Sequence, residues 1–256
     1  MGELEEALRA RIDAGGRAFV PYVTGGLPGV DADVLRGLEE AGADAIEVGI
    51  PFSDPVMDGG VIQEASRIAL EAGATPASVL ATVREAGLRV PVAVMTYANP
   101  VWRRGHESFL STCADAGVAG AIVPDLPVDE AADWVIACGR AGIEPVFLAA
   151  PGTSDGRLRE IAGASRGFVY CVATYGVTGE RERLSETAAE LVGRLRPLTD
   201  RPLLVGVGIG TPEQAAEACG FADGVVVGST LVRLLLADDP AGAAVAAAAF
   251  RAAIRA

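Results

Sequence analysis

The sequence predicts an α/β protein built as a (β/α)8 barrel, on three observations: eight short β-branched runs, helix-patterned segments between them, and a length of 256 residues. Alternating strands and helices imply a parallel sheet, because each crossover helix returns the chain to the same end of the sheet. Barrels of this kind close as one domain in about 250 residues, so residues 1–256 are expected to form a single barrel domain. An open dinucleotide-binding sheet is the weaker alternative, since no Gly-x-Gly-x-x-Gly run follows the first strand.

Strands are expected at Ala18–Thr24, Ala45–Ile50, Val90–Tyr97, Gly120–Pro124, Glu144–Leu148, Gly167–Val172, Leu203–Val207 and Gly224–Val227. Between them, Val34, Leu35, Leu38 and Ala41 recur at the spacing of a one-sided helix, as do Val128, Ala131, Trp134, Val135 and Cys138. Two elements exceed a minimal barrel. Glu3–Ala14 reads as an extra N-terminal helix, and Thr75–Ala86 as a helix inserted between strands two and three, with Thr75 as N-cap and Pro76 at the first helical position. The alanine-rich stretch Ala241–Ala256 contains Arg251 and Arg255 and reads as a surface helix, not a membrane span.

Composition closes several function classes. With 34 acidic and 21 basic residues the formal charge is −13, which repels a nucleic-acid backbone. An anionic small molecule stays open as a ligand, because backbone N–H groups and helix N-termini bind phosphate locally. The start, Met1-Gly2-Glu3-Leu4-Glu5-Glu6, is acidic where a secretory signal is basic, and no apolar run nears the ~20 residues of a span, so a cytoplasmic location is expected. Every basic residue is an arginine. A lysine imine to a carbonyl substrate or to pyridoxal phosphate therefore cannot form. Cys113, Cys138, Cys171 and Cys219 lack CxxC spacing and His106 is the sole histidine, so zinc-site and Ser-His-Asp readings lose most of their support. The cysteines are expected to be reduced and packed.

Active sites of such barrels lie at the C-terminal strand ends. Glu47 interrupts the apolar run Ala45-Ile46-Glu47-Val48-Gly49-Ile50. A carboxylate inside a parallel strand is costly unless it is hydrogen-bonded or used, and burial should raise its pKa toward neutral, where it can transfer protons. The next loop, Pro51-Phe52-Ser53-Asp54-Pro55-Val56-Met57-Asp58-Gly59-Gly60, is stiff at its start and glycine-loosened at its end, as a closing loop would be. Composition alone leaves Asp58 open between a turn residue and a catalyst. Gly206-Val207-Gly208-Ile209-Gly210 and Val227-Gly228-Ser229-Thr230, after strands seven and eight, stand where barrels commonly hold phosphate. Gly176-Val177-Thr178-Gly179, after strand six, has the composition of a lid.

Together these stretches resemble the α subunits of tryptophan synthase. The resemblance runs over residues 18–230 through Ala18–Thr24, Glu47–Pro55 with Asp58-Gly59 and Ile62-Gln63, Val123-Pro124-Asp125-Leu126-Pro127, Gly176–Gly179, Gly206–Ile209 with Pro212-Glu213-Gln214, and Gly228-Ser229. It implies cofactor-free retro-aldol cleavage of indole-3-glycerol phosphate to indole and glyceraldehyde 3-phosphate, with Glu47 and Asp58 catalytic. Asp58 would stabilise charge at the indole N–H and Glu47 would shuttle protons between the ring and the glycerol hydroxyl. Tyr170, Thr178, Gly179, Gly208, Gly228 and Ser229 would bind substrate, the last three at the phosphate. Asp54 and Pro127 would face a β chain in an α2β2 complex, and Thr178 would share with Asp54 the loops that communicate with it.

The chain departs from that pattern beside the site, with Gly26-Leu27-Pro28 after strand one, Gly60 for a usual proline, Ala173-Thr174-Tyr175 before Gly176, and Gly210 for a usual serine. Gly60 should widen the range of the Asp58 loop. The altered loops keep two other readings in view: a free-standing lyase without a β chain, and a non-catalytic barrel that only activates a partner. Phosphate-binding sugar isomerases share the glycine loops alone, and at the ends of strands one and five this chain offers Val23-Thr24-Gly25 and Leu148-Ala149-Ala150, with no carboxylate.

Overall fold

The computed structural model describes residues 1–173 and 181–254, with the side chains of 181–185 left aside. Among the described residues nine strand segments follow in order: β1 (Ala18–Thr24), β2 (Ile46–Gly49), β3 (Val92–Met95), β4 (Val118–Ile122), β5 (Glu144–Val146), β6 (Leu148–Ala149), β7 (Val169–Val172), β8 (Leu203–Gly206) and β9 (Gly224–Val227). They form one sheet in the order β5-β4-β3-β2-β1-β9-β8-β7-β6, and the paired neighbours run parallel.

The expected fifth strand is divided. Its first half, β5, pairs with β4, and its second half, β6, pairs with β7. Phe147 lies between them and its carbonyl accepts from the Tyr170 N–H at 3.0 Å, so the two halves close the ring. Pro145, which has no N–H to give, sits where the chain passes between neighbours. The eight-strand barrel expected from the sequence is thus present, with helices on its outside as parallel strands require.

Both added elements are helices, at Glu3–Asp13 and Pro76–Ala86. The second opens on Thr75, whose side chain accepts from the Ser78 N–H while Ser78 Oγ accepts from the Thr75 N–H, so two orphan donors are satisfied reciprocally. The segment from Val128 divides into a 3₁₀ turn, Val128–Glu130, and a helix, Ala132–Ala141, that buries Trp134, Ala137 and Cys138. A short helix after β3, Ala98–Arg104, has no counterpart in the sequence pattern.

The C-terminal helix, Pro240–Ala253, corrects the surface reading of that stretch. It buries Ala243, Ala247, Phe250 and Arg251, and Arg251 is only 3 % exposed. Arg251, expected to face solvent, instead ties the floor of the barrel together. Its guanidinium donates to the Arg17 carbonyl at 2.7 Å and to Asp44 Oδ2 at 3.0 Å, while Arg11 holds Asp44 Oδ1 at 2.8 Å. All four cysteines are free and buried, as expected, and burial pushes the Cys113 and Cys171 thiols up to about 12. Among the described residues no helix is long and apolar enough to cross a membrane.

Candidate active site

Glu47 lies in the middle of β2, in register with Tyr22 on β1 and Ala93 on β3. It is 1 % exposed and its Oε2 has no hydrogen-bond partner among the described residues. Burial first, and the charge of Asp58 second, push its pKa up to about 8. A carboxyl group in this position is neutral at pH 7 and has a proton to give.

Asp58 ends the loop after β2. A compact turn forms there: the Val56 N–H donates to the Asp54 carbonyl at 2.9 Å and the Asp58 N–H to the Pro55 carbonyl at 3.0 Å. Gln63, from helix Gly60–Glu71, donates to the Asp58 carbonyl at 2.9 Å. Burial raises the Asp58 carboxyl to about 6, and the nearby Tyr97 hydroxyl opposes the rise. The two carboxyl groups therefore separate at neutral pH into an acid, Glu47, and an anion, Asp58.

Two tyrosines flank this pair in matching positions. Tyr22 on β1 reaches over Gly49, two residues beyond Glu47, and Tyr170 on β7 reaches over Gly206, two residues beyond Leu204. A Cβ at Gly49 would lie 2.0 Å from the Tyr22 hydroxyl, and one at Gly206 would lie 2.4 Å from that of Tyr170. Only glycine leaves room for each ring. Burial, with Asp58 and Glu47 nearby, keeps both phenols protonated.

After β8 the chain turns sharply, with Val207 and Gly208 both at positive φ, 62° and 99°. After β9, Gly228 opens the helix Ser229–Leu236 with no side-chain cap, so no capping side chain takes up its first-turn N–H groups. The Thr230 hydroxyl donates to the Gly210 carbonyl at 2.9 Å and ties the two loops together. Gly208 and Gly228 are thus brought into neighbouring loops, as the sequence predicted, with Ser229 in the first turn of the helix.

Asp54 is exposed and accepts from Ser53 Oγ at 2.6 Å. Pro127 is exposed and helps line a cleft of about 420 Å³ whose walls include Asp129, Phe147 and Arg157 but neither Glu47 nor Asp58. That cleft is not the place of the carboxylate chemistry. Thr178 and Gly179 lie outside the described residues. Sequence reasoning passed over Tyr22 and Tyr97, for which the available signal was a phenol inside or just after an otherwise apolar strand.

The fold is that of a barrel enzyme, and Glu47 and Asp58, both raised by burial, lie on and just after β2. The model of the tryptophan synthase alpha chain family matches residues 8–254, and the chain belongs to that family. It is 47 % identical to the tryptophan synthase alpha chain of Streptomyces avermitilis over 243 residues, covering 93 % of this chain and 88 % of that one. Identity to the alpha chain of Leifsonia xyli is 44 % over 260 residues, with both chains fully covered. Among solved structures it resembles Mycobacterium tuberculosis tryptophan synthase, with a TM-score of 0.91 and 37 % identity over 100 % of this chain and 99 % of that one. The alpha subunit from Legionella pneumophila gives a TM-score of 0.89 at 30 % identity, covering 99 % and 98 %.

Proposed function

We infer that this chain cleaves indole-3-glycerol phosphate to indole and glyceraldehyde 3-phosphate, and that Glu47 and Asp58 carry the reaction. The observation that supports this most is the buried carboxyl of Glu47, whose Oε2 has no partner among the described residues and whose pKa is raised to about 8, near an Asp58 raised to about 6. Neutral Glu47 gives its proton to indole C3. The positive charge then spread over the ring nitrogen is stabilised by the Asp58 carboxylate. Glu47, now anionic, takes the proton of the glycerol hydroxyl beside the ring. As that oxygen becomes a carbonyl, the carbon–carbon bond breaks and its electron pair restores the aromatic indole. Glu47 ends protonated, as it began. The protonated ring is the electron sink that an imine supplies elsewhere, and a chain without lysine needs one of this kind.

Gly208, Gly228 and Ser229 offer backbone N–H groups to the phosphate and Tyr170 walls the pocket; Thr178 and Gly179, outside the described residues, are the remaining substrate-binding positions that the family pattern implies. A β chain docks at the mouth. Asp54 and Pro127 are exposed there, and so are the large apolar side chains of Val56, Met57 and Trp102, at 78, 55 and 56 %. Apolar groups on mouth loops are what a partner interface would cover. The acidic chain, with no membrane-crossing helix among the described residues, works in the cytoplasm.

The test is indole release from indole-3-glycerol phosphate by purified protein, with and without a tryptophan synthase β chain. Cleavage that the β chain stimulates is expected. High activity unaltered by the β chain would favour a free-standing lyase, and no activity in either arm would favour a barrel that only activates its partner.

A further inference from the structure

The loop carrying Asp58 has a weakness and, next to it, a remedy. Gly59 and Gly60 leave the end of the loop with the largest backbone freedom in the segment, and a Cβ at either would meet nothing within 4 Å, so no packing fixes them. Tyr97, just beyond β3 and only 3 % exposed, contacts the loop at both ends. Its ring stacks on Phe52 at a centroid distance of 5.1 Å and an interplanar angle of 27°. Its hydroxyl accepts from the Met57 N–H at 3.0 Å and lies close enough to the Asp58 carboxyl to oppose the rise in its pKa. Phe52 lies near the start of the loop and Met57 directly before Asp58, so one side chain closes the segment like a pin.

We propose that Tyr97 is the positioning residue for Asp58, holding the carboxylate at the reacting ring by pinning the 52–58 loop, and that this pin lets the chain tolerate glycine at position 60. The inference rests on Asp58 acting at the indole. A phenol suits the task because its ring supplies stacking area while its oxygen accepts one hydrogen bond and has an O–H to turn toward the carboxylate. Helix Gly60–Glu71 begins at Gly60, behind the N-cap Gly59, which makes position 60 the first helical residue. Proline fits that position without losing a hydrogen bond and would stiffen the loop from its other end. The pin and a proline are therefore two solutions to one problem.

The experiment compares the parent chain with Tyr97→Phe, Gly60→Pro and the double variant. Tyr97→Phe keeps the stack and removes the oxygen. Substrate binding rests largely on phosphate and ring contacts, so kcat should fall about tenfold while KM changes less than threefold. The titratable groups facing Asp58 among the described residues are Glu47 on β2, Tyr22 on β1, Tyr170 on β7 and Tyr97 itself, with Asp125 near the phenol. Losing the phenol hydroxyl removes the influence that favours the Asp58 anion, so the acid limb of the pH profile should move upward. Adding Gly60→Pro should restore a several-fold part of the lost kcat. Hydrogen exchange at the Met57 amide reads the pin without turnover and should rise about tenfold in Tyr97→Phe. Unaltered exchange at Met57 would overturn the pin even in a chain that cleaves nothing. In an active chain, so would an unmoved acid limb, or a kcat loss that the proline leaves untouched. An inactive parent whose Met57 exchange still responds would overturn the cleavage reading and leave the pin standing.

Discussion

Glu47 and Glu144 are the same residue in the same barrel, 1 % and 5 % exposed, and their surroundings are opposite. Glu144 stands at the start of β5 on the floor. Its carboxylate accepts the N–H groups of Leu4 at 2.7 Å, Gly167 at 3.1 Å, Gly2 at 3.2 Å and Glu5 at 3.3 Å. It caps the N-terminus of helix Glu3–Asp13, where the helix dipole favours a negative charge. Glu47 faces the mouth, and its Oε2 has no partner among the described residues. Burial raises both pKa values, but backbone donors oppose the rise at Glu144 and none is found opposing it at Glu47. A buried carboxylate that the fold satisfies is structure, and one left unsatisfied is held ready for a ligand.

Exchanging each for glutamine should split the two cleanly. Glu47→Gln should lower kcat by about a thousandfold, the scale of a lost general acid, while leaving the fold intact. Glu144→Gln should leave kcat within about twofold and cost roughly 2–3 kcal/mol of stability, since charge-assisted bonds to the helix start become neutral ones. Indole release and urea melts of both variants read the contrast, and a Glu144 variant as inactive as the Glu47 variant would break it.

The pH dependence of stability sharpens the same comparison. Glu47 has a folded pKa raised to about 8 from an ordinary 4.5, so the folded state binds the proton more tightly than the unfolded chain. The stabilisation is full below about 4.5 and is lost as pH rises through 8, a change on the order of 3–5 kcal/mol. Asp58, raised to about 6, adds loss of the same sign over a narrower window. Melts at pH 5 and pH 8 should show the parent losing more stability than Glu47→Gln, and equal losses would mean that Glu47 ionises normally.

Activity should follow a bell, rising as Asp58 ionises near 6 and falling as Glu47 loses its proton near 8. Glu47→Asp, if it retains measurable turnover, should alter the alkaline limb and spare the acid one. The smallest effect belongs to the loops proposed to hold phosphate: Thr230→Val cuts the bond to the Gly210 carbonyl and should raise KM about threefold, with kcat nearly unaltered.

Much of this architecture is legible in the sequence because strand and helix periods are local. Thr75 and Pro76 announce their helix without help from the rest of the chain. Glu47 is legible for a related reason, since a charge amid Ile46, Val48 and Ile50 contradicts its own neighbours. Glu144 begins a similar apolar run but gives no hint of its role, because Gly2, Leu4 and Glu5, three of the four residues whose N–H groups satisfy it, lie about 140 residues away. Arg251 misleads for the same reason: its partners Arg17 and Asp44 come from the far end of the chain. Asp58 is legible only through the family pattern around it. Tyr97 is hidden because the loop it pins becomes its neighbour only after β2 and β3 pair.

A carboxyl-specific titration of Glu47 tests the acid assignment most directly, by ¹³C NMR of glutamate-labelled protein with Glu47→Gln to identify the resonance. A carboxyl that stays protonated at pH 7 and titrates near 8 is the predicted result. One that is fully ionised at pH 6 would contradict it, because Glu47 would then have no proton to give the indole ring.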